Sequence, residues 1–296
     1  MGLGLSAFWG GFWAGAMYAA SFVVIQLLHC TLATKQPAMT APAMAAKLKD
    51  IGTPKAVNAF VDEVAHLMRS QAAAVLGNVL VVFPVVLLLS VGIGLLLGHP
   101  MLGAKEAAYT LHSLSLLGPT LLFAGFTGCL LFASSIIAGW VENWFVLRRL
   151  DSAMRYNPSV TGLLGVERAG RWAHFMRNNI SGFASNISLG FMLGLIPPIM
   201  AFFSLPLEVR HVTLSAGQLA AASVAYGVQT VFMPAFWWAV AAIPLIGALN
   251  LGVSFYLAYQ LALRAHNVSG VQRAHIHQAI WARWRHRPLS FFIPAG

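Results

Sequence analysis

Charge is scarce in this sequence. Only 9% of its residues are Asp, Glu, Lys or Arg, against roughly 25% in a soluble domain, which excludes an ordinary water-soluble globule. Acids are the scarcer half, 8 against 18 Lys and Arg. No two carboxylates share an apolar run, so a proton pump built on membrane-embedded acids is disfavoured. Cysteine is limited to Cys30 and Cys129. Both lie in apolar runs, where two small buried hydrophobes are expected in place of a disulfide. No His-Glu-x-x-His, paired-Cys or Gly-x-x-x-x-Gly-Lys-Ser/Thr pattern occurs, and on a helix His275 and His277 would point about 200° apart. The residues therefore imply no metal, no cofactor and no catalytic constellation.

Apolar residues take up the difference: 58% of the chain is hydrophobic and the mean hydropathy is +0.74. The apolar runs are continuous and do not alternate with polar residues, so the chain reads as helical and not as a β-barrel. The fold class expected is an all-α integral membrane protein with about five transmembrane helices, six at most, plus amphipathic or re-entrant segments. The spans fall near 5–30, 72–97, 116–140, 183–205 and 235–263, making a transmembrane domain over 1–263. Pro197-Pro198 is expected to break the fourth. Between Thr53-Pro54 and Met68 the apolar residues recur at helical spacing, an amphipathic helix leading into the second span. Residues 264–296 form a basic tail.

Basic residues orient the chain. The segments 31–70, 141–182 and 264–296 carry five, six and five Lys or Arg, while 98–115 and 206–213 carry one each. Basic loops stay in the cytoplasm, which puts the N-terminus outside and the C-terminus inside. Only one crossing between 206 and 264 is then allowed, so 214–233 reads as re-entrant or protein-buried. The same loops suit anionic lipid headgroups. The lipid bilayer is thus the expected partner, self-association is left open, and nucleic acid is disfavoured.

Polar groups at membrane depth are the candidate sites, because each costs free energy unless paired. They are Gln26, His29, Asn78, Asn186 and Asn250. The plainer reading of these amides is hydrogen bonding that fixes the bundle.

Three stretches resemble one bacterial membrane-protein family, the site-specific recombinases. They are Thr31-Leu-Ala-Thr-Lys-Gln-Pro-Ala-Met-Thr-Ala-Pro42, Asn143-Trp-Phe-Val-Leu-Arg-Arg149, and Ser185-Asn-Ile-Ser-Leu-Gly190 continuing to Leu205-Pro-Leu-Glu-Val-Arg-His-Val-Thr-Leu-Ser215. Within them Lys35, Gln36, Arg210 and His211 form a candidate loop motif. The resemblance covers the family's C-terminal membrane region and implies a multi-pass protein of the bacterial inner membrane. Its name implies DNA strand exchange, which would need a nucleophilic Tyr with His and Arg groups. His66-Leu-Met-Arg69 and His174-Phe-Met-Arg177 supply His-x-x-Arg, but only Tyr156 lies on the basic side, and it precedes the second of these. On the residues alone, a transport, lipid-related or scaffolding protein is the stronger expectation, and recombination the alternative.

Overall fold

The computed structural model describes residues 6–30, 54–265 and 270–293. Among them every regular element is helical. Ten α-helices follow in order: α1 (Ala7–Leu27), α2 (Pro54–Leu97), α3 (Ala104–Ser113), α4 (Thr120–Leu147), α5 (Leu150–Tyr156), α6 (Pro158–Leu164), α7 (Val166–Phe202), α8 (Val212–Tyr226), α9 (Pro234–Ala265) and α10 (Gly270–His286). Short 3-10 turns cover Gly227–Phe232 and Pro288–Phe291. Among the described residues, five helices are long and apolar enough to cross a membrane: α1, α4, α7, α9 and residues Ala56–Leu97 of α2. By contrast, α8 has 15 residues, about 22 Å, shorter than a hydrocarbon core of about 30 Å.

The chain divides into two compact units. The first comprises Met1–Thr31 and Leu130–Leu207. In it α1 lies along α7, with Gly11 and Gly15 facing Gly190 and Gly194. A Cβ on Gly194 would collide with the backbone of Gly15, and one on Gly190 with that of Ala19. The Pro197-Pro198 pair does not break α7, which continues to Phe202. Two prolines so close to a helix end remove only the bonds of the last turns. The Pro198 ring also packs into the space that the missing side chain of Gly11 leaves.

The first half of α7 carries short helices built by local signals. Arg149 adopts a left-handed conformation (φ 49°) at the start of α5, Asn157 Oδ1 accepts from Ser159 N ahead of Pro158, and Gly165 (φ 78°) opens α7. These turns lay α5 and α6 against α7.

The second unit comprises Leu32–Cys129 and Glu208–Gly296. Its core gathers Leu111 and Leu114, Ala124, Val212, Leu219, Phe236, Ile243 and Ile246 from α3, α4, α8 and α9. The basic C-terminal stretch is folded. Arg283 pairs with Asp62 of α2, Arg69 donates to Ser290 O (2.9 Å), and Ile276 and Phe291 are buried. Contrary to the expectation of buried thiols, Cys30 and Cys129 are both free and exposed. Cys129, in the spanning helix α4, can face lipid as readily as protein, and Cys30 lies past the end of α1.

Candidate functional site

Unit one contains a cavity of about 190 Å³ between α5 and α7. From α5 it is lined by Asp151, Ser152, Arg155 and Tyr156, and from α7 by Gly170, Ala173, His174 and Arg177. Steps of three and four place 170, 173, 174 and 177 on one helical face, and their small members, Gly170 and Ala173, leave the space. Arg155 lies over the Tyr156 ring, 5.4 Å from its centroid. His174 Nε2 is 3.0 Å from Asn178 Nδ2. Two guanidinium groups against one carboxylate leave the lining cationic. Guanidinium groups of this kind can offer charge-assisted hydrogen bonds to an oxyanion.

The candidates named from sequence divide between the two units. In unit one, Asn186 Nδ2 donates to Gln26 Oε1 (2.6 Å) and to Phe22 O (3.1 Å). Gln26 Nε2 donates in turn to the backbone and side-chain oxygens of Asn179, both at 3.3 Å. This amide cluster joins α1 to α7, while Asn186 Oδ1 is buried without a partner among the described residues. His29 follows the end of α1 with φ 56° and is exposed.

In unit two the fold brings Arg210, His211 and Asn250 together. Asn250 Oδ1 accepts from Val212 N (3.0 Å), and Nδ2 donates to Ala124 O and Arg210 O, each 2.9 Å away. Thr127 Oγ1 accepts from Arg210 N (2.7 Å). The Arg210 guanidinium donates to Glu208 (2.6 Å) and Ser113 O (3.1 Å) and sits 5.6 Å from the Phe123 ring centroid. Tyr109 Oη donates to the other Glu208 oxygen (3.2 Å). The charge on Glu208, then burial, raises the Tyr109 pKa, with Arg210 opposing. His211 is 1% exposed, and burial lowers its pKa to about 4, so it is neutral at pH 7. Apart from Arg210 Nε, which lacks a partner among the described residues, the bonding capacity of Asn250 and Arg210 is largely spent within the node, whose arrangement positions helices. Asn78 is half-buried in α2, and Lys35 and Gln36 lie outside the described residues.

The cavity was not assembled from sequence, although its members were visible singly. The signal that could have found it is the run Gly170, Ala173, His174, Arg177, one helical face carrying small and basic residues, beside the matching steps of Asp151, Ser152, Arg155 and Tyr156.

Five apolar helices of spanning length define the class, an all-α integral membrane protein. Over residues 1–294 the sequence matches the family described as Site-specific recombinase. The chain belongs to that family. No match was found among curated proteins or among solved structures.

Proposed function

We propose that this membrane protein is lipid-related, holding the phosphate of an anionic phospholipid in the cavity between α5 and α7. One observation carries the reading: Arg155, Arg177 and His174 converge at the end of the intramembrane part of α7. The 21 residues of α1 make about 31 Å, close to the roughly 30 Å hydrocarbon thickness. Near its end, Gln26 meets Asn179. Arg177 and His174 precede Asn179 by two and five residues, about 3 and 8 Å along the axis. That is headgroup depth, on the face where basic residues concentrate. Ser152 and Tyr156 add hydroxyls for an ester or glycerol oxygen.

Native mass spectrometry of the detergent-purified protein with phosphatidylglycerol or phosphatidylcholine tests it. The wild type is expected to retain phosphatidylglycerol preferentially. Arg155→Gln with Arg177→Gln should weaken that retention by roughly 2 kcal/mol, about thirtyfold, at near 1 kcal/mol per basic residue. Equal retention of both lipids, or an unaffected double variant, would overturn the reading.

A second reading, strand exchange as the family description implies, has one observation in its favour: Tyr156 shares the cavity with His174, Arg155 and Arg177. A tyrosine nucleophile with such neighbours could attack a phosphodiester. Recombination persisting with Tyr156→Phe in cells that depend on this gene would eliminate it.

A further inference from the structure

The C-terminal segment presents an outward surface that the cavity does not explain. Trp281, Leu289, Phe292 and Ile293 are exposed large apolar side chains, and Arg285 and Arg287 are exposed between them. The segment is held firmly from behind: Phe291 is buried, Trp284 packs on it with ring centroids 5.4 Å apart, Arg283 Nε donates to Ser290 Oγ (3.0 Å), and Arg283 and Arg69 tie it to α2. Its exposed apolar residues are therefore a fixed feature of the fold and not the fraying of a terminus.

Charge narrows what covers this surface. Residues 264–296 contain five arginines and no Asp or Glu, and of these Arg283 is answered by Asp62. A second copy of the same patch would bring like charges together, whereas an anionic surface would not. Aromatic and aliphatic side chains mixed with arginine match the interface of a bilayer. Position agrees. The apolar run of α2 begins at Ala72, so the attachment points Arg69 and Asp62 lie about 5 and 15 Å beyond it along the axis. The headgroup layer, roughly 5–8 Å deep on each side, includes the level of Arg69, which holds Ser290, while Asp62 stands farther out.

We propose that residues 281–293 are an interfacial anchor lying in the headgroup layer of an anionic bilayer, pinning the polar first half of α2 to the membrane. The proposal does not rest on the α5–α7 cavity. The test uses the full chain in nanodiscs. Cys30→Ser and Cys129→Ala remove the native thiols, and Trp281→Cys carries an environment-sensitive fluorophore, with Leu289→Cys as a second probe position. Nitroxides are placed either on the lipid headgroup or deep in the acyl chain. The headgroup nitroxide is expected to quench more strongly than the deep one. Quenching should be greater with phosphatidylglycerol than with phosphatidylcholine, and this difference should disappear with Arg285→Gln and Arg287→Gln. No quenching at either depth, dominant quenching by the deep nitroxide, or quenching indifferent to lipid charge would each overturn the proposal.

Discussion

The two units join helices by opposite means. Along α1 and α7, glycines remove side chains so that one backbone rests on another, and the amides of Gln26 and Asn186 close the contact at one end. At the meeting of α4, α8 and α9 a side chain is added: Asn250 reaches in and binds three backbone groups. His211, the N-cap residue of α8, makes no side-chain cap bond; the acceptor comes instead from another helix. The contrast teaches that a lipid-embedded fold can satisfy its packing by subtraction or by supplying a missing polar partner. The first device should fail abruptly and the second by degrees.

The abrupt case is Gly194→Leu. Its new side chain would meet the backbone of Gly15 and the Gly11 carbonyl oxygen, groups that cannot swing aside, at a cost of about 3 kcal/mol or more. We expect little folded protein in detergent. Gly10→Leu, where no other described residue would lie within 4 Å of a Cβ, should shift stability by less than about 0.5 kcal/mol. If both variants melted alike, the close backbone contact would not be what holds the unit.

The node should respond to pH as well as to mutation. His211 has its pKa lowered from 6.5 to about 4 in the folded state, so below 6.5 the unfolded chain binds a proton that the folded one refuses. Stability from this group is therefore complete above pH 6.5 and falls as pH drops toward 4, by up to about 3 kcal/mol. Thermal midpoints at pH 7 and 4.5 should separate in the wild type and draw together in His211→Gln; identical pH profiles would sink the assignment. Smaller still is Asn250→Leu, which deletes three bonds worth about 0.6 kcal/mol each and should cost about 2 kcal/mol. An unchanged midpoint in chemical denaturation would mean that water or a neighbouring group replaces the amide.

Sequence reasoning succeeded where the physics is local or compulsory. Lipid demands long apolar runs, so five helices of spanning length could be read from hydropathy. The cost of polar atoms at depth singled out Gln26, Asn186 and Asn250, each of which makes hydrogen bonds in the structure. It failed where the chain doubles back. The seven-residue helix α5 is too short for periodicity to announce, and the left-handed Arg149 that launches it has no sequence signature of the kind glycine provides. Tyr156 was therefore weighed by its order relative to His174 and Arg177, although folding makes order along the chain irrelevant. Pro197 and Pro198 misled for a related reason. Their effect depends on how near the helix end they fall and on Gly11, more than 180 residues earlier.

The bond from Val212 to Asn250 spans 38 residues of sequence, and its acceptor is the later of the two. A ribosome makes α8 before it has made the residue that completes the first turn of α8. During synthesis that turn must wait, its leading amide unsatisfied or borrowed, until α9 emerges. Insertion of this region is thus a joint event, in which a helix acquires its beginning only when its successor arrives.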